Sequence, residues 1–211
     1  ATMVKAGVFL LVRLWPALGG TPEWTWLIGA AGVCTLLIGS FIAIFQNDLY
    51  GGSMRLISSE LPRLGVQLSW GANVADFAAA LRPETRLIYV ESPSNPLLHC
   101  VDLAEMAALG KRHGVLTVID NTFATPINQN PPPLGIDAVI HSATKYLNGH
   151  SDVNAGVVVA SAEIVSRVTG SAVNFGGMLD AHACSQLERG LKTLALRVQR
   201  LDFQPLWWDE G

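Results

Sequence analysis

The sequence predicts an α/β fold built on a mostly parallel sheet. Short apolar runs that indicate buried strands alternate with segments of helical periodicity. This alternation is typical of a parallel sheet covered by helices on both faces. Two of the predicted strands, 115–119 and 138–140, lead directly into polar residues, Asp120 and the loop that contains Lys145. Because ligands of open α/β sheets bind beyond the carboxyl ends of the strands, the pattern also predicts a binding site at this edge.

Each element carries its own local signal. Asn73 and Asp102 are good N-cap residues for two short helices, and Gly114 is a good terminator of the second one. Apolar residues spaced by three and four predict a single long helix over 179–201. In chain order, the predicted elements are helix 75–81, strand 86–90, helix 102–113, strand 115–119, strand 138–140, strand 157–160 and helix 179–201.

Charge and cysteine content narrow the function classes. The net charge is −3 and the pI is near 5.9, which argues against a nucleic-acid-binding protein. Cys34, Cys100 and Cys184 have neither disulfide nor metal-ligand spacing, so we expect a reducing compartment, the cytoplasm, and no metal centre. The first residues lack the order of a signal peptide. Residues 149–152 contain the residue types of a hydrolase triad, but adjacent residues cannot converge as one.

The first 46 residues differ in composition from the rest of the chain. Residues 24–45 contain no charged residue, and as a helix they would be about 33 Å long, enough to cross a bilayer of roughly 30 Å. Together with the preceding apolar stretch they predict a transmembrane-like helical hairpin with membrane contact through 24–45. A buried hairpin of a soluble protein is the alternative. We therefore predict two domains, the hairpin at 1–46 and an α/β domain at 47–211.

An acid, a lysine and two hydroxyls at one sheet edge fit a particular cofactor. Pyridoxal 5′-phosphate (PLP) needs a lysine amine for its aldehyde, a carboxylate at its pyridine nitrogen, and hydroxyls and backbone N–H groups at its phosphate. Lys145, Asp120, Ser142 and Thr144 supply these types, and the two hydroxyls could reach one phosphate if the loop is extended. Taken alone, a lysine after a strand is more often a solvated residue, and an aspartate there a cap or turn residue.

Longer motifs strengthen this interpretation. In order and spacing, the segments are ETRLIYVESPSNPL (84–97), VIDNTFATP (118–126), DAVIHSATKYLNGHSDV (137–153), AGVVVAS (155–161) and RGLKTLALR (189–197). From about residue 48 to 200 the chain resembles the Cys/Met-metabolism family of PLP-dependent enzymes. That family has aminotransferase fold type I and includes cystathionine γ-synthase, cystathionine lyases and methionine γ-lyase. The resemblance implies a partial fold type I large domain.

The resemblance also implies roles for individual residues. Lys145 of SATKY matches the catalytic lysine that bonds covalently to the cofactor. Asp120 of DNTF matches the partner of the pyridine nitrogen, and Ser142 and Thr144 match phosphate ligands.

Two further residues match the family outside the lysine loop. Tyr50 of DLYGG matches the tyrosine that stacks on the ring and assists proton transfer, and Asn95 of SPSNP matches the asparagine near the phenolic oxygen and the substrate. The family further implies a homo-oligomer with a small amino-acid substrate.

A second resemblance concerns the beginning of the chain. The segments ATMVKAGVFLLVRLWPAL (1–18) and IAIFQNDL (42–49) resemble the antiporter-like subunits of Mrp cation/proton antiporters and respiratory complex I. The family's N-terminal arm, its Gly-Met phosphate turn and its C-terminal domain have no counterpart in this sequence. These departures predict a truncated, chimeric chain with a seam near 46–49.

Three functions remain open from the sequence. The first is PLP-dependent elimination or replacement on sulfur amino acids, impaired by truncation. The second is a non-catalytic chimera that acts, if at all, by binding a partner. The third is a membrane-anchored fragment of an antiporter subunit.

Overall fold

The computed structural model describes residues 42–46 and 49–201. Within them, the strands are β1 (Ile42–Gln46), β2 (Gln67–Gly71), β3 (Thr85–Glu91), β4 (Leu116–Asp120), β5 (Ala138–Ser142) and β6 (Gly156–Ala160). The α-helices are α1 (Gly51–Arg55), α2 (Val74–Ala80), α3 (Leu103–His113), α4 (Thr125–Asn128), α5 (Ala162–Phe175), α6 (Ala181–Lys192) and α7 (Leu194–Leu201). A π-helical turn (Leu56–Glu60) and two 3₁₀ turns (Pro62–Leu64 and Pro132–Leu134) complete the elements.

The described strands form a sheet in the order β2-β1-β3-β4-β5-β6. The first five strands are parallel, whereas β6 pairs antiparallel with β5. The α/β class is confirmed, and the sheet is mixed rather than purely parallel. Since β1, β3, β4 and β5 run the same way, their carboxyl ends lie at one edge, which we call the C-terminal edge.

Both faces of the sheet are covered, as alternation along β3 shows. Ile88 and Val90 pack into one cluster with residues of α2 and α3, whereas Leu87 and Tyr89 pack into another that includes Ile57 of the π-helical turn. A strand buried on both faces has apolar side chains pointing in both directions, which explains its continuous apolar sequence. A third cluster joins the segment after β5 to α6 and α7.

Local capping residues correctly predicted the starts of α2 and α3 and the end of α3. Asn73 accepts a hydrogen bond from the Asp76 backbone N–H at 3.0 Å, and Asp102 accepts one from that of Glu105 at 2.9 Å. Gly114 ends α3 in the left-handed conformation, with φ of 64°, which glycine adopts without strain. Both N-cap predictions and the helix-end prediction are confirmed.

The prediction of one helix over 179–201 is wrong. The helix is interrupted at Thr193, which separates α6 from α7 and has φ of −108° and ψ of 0°. The Thr193 hydroxyl donates to the Gly190 carbonyl oxygen at 3.1 Å. Such a local side-chain bond competes with the helical backbone pattern.

The predicted helical hairpin over residues 1–46 is wrong for Ile42–Gln46, which form strand β1. β1 lies between β2 and β3 and pairs with both, and β-branched and aromatic residues favour such a strand. Residues 1–41, including most of the apolar stretch 24–45, lie outside the described part of the chain. Within 42–46 and 49–201, no helix combines the length and the apolar character needed to cross a membrane.

Candidate functional site at the C-terminal edge

Lys145 lies in the turn 143–148 that follows β5. Its backbone N–H donates to the Ser142 carbonyl oxygen at 3.0 Å, and the Gly149 N–H donates to the Lys145 carbonyl oxygen at 2.8 Å. The side chain is exposed, and among the described residues it forms neither an ion pair nor a side-chain hydrogen bond. The structure therefore presents this amine to solvent on a backbone that is fixed on both sides.

Asp120 ends β4, the strand next to β5, and pairs in register with Ile140. Its Oδ1 accepts hydrogen bonds from the Thr122 N–H at 3.0 Å and from the Thr122 hydroxyl at 2.5 Å. From the residues that the structure describes, its Oδ2 receives one long contact, 3.5 Å, from the Tyr89 hydroxyl. One oxygen is thus held firmly, and the other retains capacity to accept a stronger donor.

The hydroxyl of Thr122 links the acid to the strand of the lysine. While it donates to Asp120, it accepts a hydrogen bond from the Ser142 N–H at 2.7 Å. The residues Asp120, Thr122 and Ser142 therefore form a continuous bonded path from the end of β4 to the end of β5. Sequence reasoning missed Thr122, although its position two residues after the strand-ending acid is that of an Asx-type turn.

The Tyr89 side chain is buried close to two acidic residues, Asp120 and Glu91. Burial raises the pKa of its phenol well above the usual range, and the charges of Asp120 and Glu91 raise it further, against an opposing hydrogen bond with Ser53. A phenol that keeps its proton can only present Asp120 with a donor or a weak acceptor. Tyr89 therefore faces Asp120 as a hydrogen-bond donor.

The Tyr50 backbone is held at the same edge by a hydrogen bond to a buried glutamate, Glu91. Glu91 ends β3, is 3% exposed and pairs in register with Asp120. Its Oε2 accepts a hydrogen bond from the Tyr50 N–H at 2.8 Å. The Tyr50 ring is about half exposed, so it is available to a ligand. Sequence reasoning missed Glu91, because a contact across 41 residues leaves no local pattern.

The two predicted phosphate ligands differ in their surroundings. The Thr144 hydroxyl accepts from the Ala155 N–H at 2.9 Å and lies 3.3 Å from the Ala155 carbonyl oxygen, to which it donates. Ser142 uses its backbone, not its hydroxyl, in the bond to Thr122. The residues after Ser142 form a turn rather than an extended loop, so the assignment of both hydroxyls to one phosphate rests on the family resemblance and not on an extended loop.

Asn95 follows β3 in a loop that its neighbours hold. Ser94 N–H donates to the His99 carbonyl oxygen at 2.9 Å, and the His99 N–H donates to the Ser94 hydroxyl at 3.0 Å. Asn95 itself is half-buried. Since β3 ends at the C-terminal edge, this loop emerges on the same side of the sheet as Asp120. The roles of Asn95, Ser142 and Thr144 in binding stay predictions.

The residues present fit PLP at its ring nitrogen and its aldehyde. A carboxylate with a spare acceptor position and a solvent-facing amine follow neighbouring parallel strands. The protonated ring nitrogen of PLP requires the carboxylate, and its aldehyde requires the amine. The fold and this edge define an α/β protein with an acid–lysine pair on adjacent strands.

Comparison with known proteins identifies the family. The family model described as Cys/Met metabolism PLP-dependent enzyme matches residues 29–204, most of the chain, and the protein belongs to this family. The match begins well before the seam predicted near 46–49. A second model, described as NADH:quinone oxidoreductase/Mrp antiporter, TM, matches residues 1–51, and the two matches overlap at 29–51.

Individual relatives agree with the family match. A cystathionine β-lyase of Lactococcus lactis subsp. cremoris (strain MG1363) is 43% identical over 188 residues, which are 86% of this chain and 49% of that protein. An L-methionine γ-lyase of Pseudomonas putida is 42% identical over 170 residues, 79% of this chain and 43% of that protein. The chain spans about half the length of the curated relatives that it matches.

A solved structure supports the fold. The crystal structure of cystathionine γ-lyase from Lactobacillus plantarum, complexed with L-serine, superposes with a TM-score of 0.72 at 41% identity, over 79% of this chain and 45% of that one.

Proposed function

We propose that this chain binds PLP covalently through Lys145 and serves in elimination or replacement reactions of sulfur amino acids. The observation that carries the proposal is the placement of Asp120 and the Lys145 turn on adjacent parallel strands at one edge. Family membership supports the cofactor, and the relatives named as cystathionine and methionine lyases support the substrate class. A cytoplasmic location and a homo-oligomeric state stay predictions.

Each residue has a stated part in this proposal. When bound, PLP supplies an electron sink that stabilises negative charge at the α carbon of an amino acid. Asp120 Oδ2 would accept a hydrogen bond from the ring nitrogen, and Lys145 Nζ would hold the aldehyde carbon. As a free amine, Lys145 would also take up the proton of the substrate α carbon.

The remaining residues would orient the ring and its substituents. The Tyr50 ring would cover one face of the cofactor and assist proton transfer. Asn95 would donate to the phenolic oxygen, and Ser142 and Thr144 would donate to the phosphate. For this, the Thr144 hydroxyl would give up the hydrogen bond that it donates to the Ala155 carbonyl oxygen. Charge-assisted hydrogen bonds of this kind are the stronger ones in proteins.

The proposal is tested by trapping the lysine–cofactor bond. Incubation with PLP and then borohydride should add one pyridoxyl group to the peptide that contains Lys145, as read by mass spectrometry. Lys145→Ala should lose the adduct, whereas Lys111→Ala, a change at an exposed lysine of α3, should retain it. An unmodified wild-type protein, or equal labelling of both variants, contradicts the proposal.

Activity is measured separately from binding. Wild-type protein with PLP should convert cystathionine or methionine, with water, into a thiol, ammonia and a 2-oxo acid, and Lys145→Ala should not. If PLP attaches but no product forms with either amino acid, the cofactor assignment holds and the proposed reaction is wrong.

A further inference from the structure

We infer that Arg197 is a positioning residue for Lys145, because its guanidinium fixes the end of the turn that carries the lysine. The inference deepens the proposed function and rests on it for the role of Lys145. Arg197 lies on α7, about fifty residues beyond the turn in sequence, so it joins a distant helix to the site.

The guanidinium of Arg197 donates to four oxygens at once. Nη1 donates to the Tyr146 carbonyl oxygen at 2.7 Å, and Nη2 to those of Gly190 at 2.8 Å and Leu147 at 3.4 Å. Nε donates to the Thr193 hydroxyl at 3.0 Å. One side chain therefore binds the lysine turn, the end of α6 and the start of α7 together.

The position of these carbonyls explains why a cation belongs there. Tyr146 and Leu147 lie at the carboxyl end of the turn 143–148, and their carbonyl oxygens, which carry partial negative charge, face the guanidinium. The Gly149 N–H donates to the Lys145 carbonyl oxygen at 2.8 Å and closes the turn just before the guanidinium. Arg197 therefore satisfies the carbonyls that follow Lys145 directly.

Two glycines bring the surrounding backbone close to the turn and to the guanidinium. Gly149 has φ of +69°, and a Cβ there would overlap the Arg197 guanidinium. A Cβ on Gly190 would overlap the Asn148 carbonyl oxygen. Two glycines thus allow α6 and the guanidinium to approach the turn at backbone distance. Burial among these groups also lowers the pKa of Arg197, as expected for a guanidinium removed from water.

The turn of Lys145 is consequently held at both of its ends. At its start, Ser142 is bonded to Thr122 and through it to Asp120. At its end, the carbonyls of Tyr146 and Leu147 are bonded to Arg197. The separation between the lysine amine and the Asp120 carboxylate depends on both attachments, so loss of Arg197 should loosen the lysine while the acid stays in place.

The test compares Arg197→Lys with Arg167→Lys, the same change at an exposed arginine of α5. A lysine ammonium cannot reproduce the planar fork that reaches four acceptors. In cofactor-free protein, amide hydrogen exchange at Asn148 and Gly149 should rise about tenfold or more in Arg197→Lys, and the dissociation constant for PLP should rise by a similar factor. Arg167→Lys should change neither value.

A chemical-rescue experiment separates positioning from general support. In Arg197→Ala, added guanidinium ion at concentrations well below denaturing should restore part of the PLP affinity, whereas it should not improve the wild type. If Arg197→Lys lowers the melting temperature but leaves both local exchange and PLP affinity unchanged, Arg197 is only part of the scaffold and the inference is overturned.

Two controls keep the outcome decisive. If the Arg197 variants do not fold, Thr193→Val removes the acceptor of Nε and the hydroxyl bond to the Gly190 carbonyl oxygen but leaves the guanidinium on Tyr146 and Leu147, so it should shift exchange and PLP affinity in the same direction but by less. No shift in Thr193→Val overturns the inference. If wild-type protein takes up no PLP, the proposed function fails, whereas amide exchange in the cofactor-free variants still decides whether Arg197 holds the turn.

Discussion

At the scale of single residues, His141 is a buried group that the sequence did not single out. It lies on β5 directly before Ser142, is 7% exposed, and within the described chain its Nδ1 has no hydrogen-bond partner. Burial lowers the pKa of the imidazole below its usual value, although the nearby charge of Asp120 opposes the shift. The folded protein therefore holds His141 neutral under conditions where an unfolded chain would already bind a proton.

This difference makes stability depend on pH. Because the folded-state pKa of His141 lies below the unfolded value of about 6.5, unfolded chains bind more protons below that pH. The contribution to stability is fully present above about pH 6.5 and is lost as pH falls towards the folded-state pKa, by at most about 1.4 kcal/mol per pH unit. Urea unfolding of the wild type between pH 5 and 7.5 should show this decline.

Substitution of the histidine checks that assignment. His141→Gln should lower overall stability through altered packing but flatten the slope between pH 5 and 6.5. The exposed His113 provides the matched control, since His113→Gln should keep the wild-type slope. Parallel profiles for His141→Gln and wild type would show that the decline has another source.

At the scale of elements, α6 is placed by a glycine on its buried side. Gly190 approaches the turn 143–148 so closely that a Cβ would meet the Asn148 and Leu147 backbone. The cluster of Leu147, Leu187 and Leu194 packs around the same contact, and Arg189 forms an ion pair with Asp152 beyond it. The lysine turn therefore rests on a helix rather than projecting as an unsupported loop.

Gly→Ala changes at two helix positions should change the free energy of unfolding in opposite directions. Gly190→Ala should destabilise the fold by about 2 kcal/mol or more, because the backbone that it meets cannot move aside as a flexible side chain would. Gly170→Ala, in α5 with nothing within 4 Å of the added Cβ, should instead stabilise it by roughly 0.5–1 kcal/mol. Chemical denaturation of both variants provides the measurement, and equal shifts would mean that α6 does not pack against the turn.

At the scale of the whole molecule, the sequence separation between contacting residues explains which features were predictable. The caps at Asn73 and Asp102 and the end at Gly114 use bonds within a few residues, so local patterns revealed them. The acid and the lysine followed apolar strands, and the sheet brings those strands together as neighbours. Glu91, Thr122 and Arg197 act through contacts across 20 to 51 residues, and no local pattern indicates such contacts.

The misassigned strand has a different cause. Residues 42–46 continue a long apolar stretch, and periodicity alone cannot distinguish a short apolar strand from a segment of apolar helix. The sheet resolves this ambiguity, because Ile44 pairs with Ser69 of β2 on one side and with Ile88 of β3 on the other. The position of β1 between two partners shows that it belongs to the fold.

The central position of β1 leads to a test of the whole architecture. Proline lacks the backbone N–H and fixes φ, so Ile44→Pro should break pairing where β1 joins β2 to β3, and the cost should be several kcal/mol. Ile44→Val keeps a β-branched residue and the backbone N–H, so it should keep the strand pairing. In urea denaturation, Ile44→Pro should lose the cooperative transition or shift it far below that of Ile44→Val. If both variants unfold at the same urea concentration, residues 42–46 are not part of the sheet, and β2 must be held to β3 by other contacts.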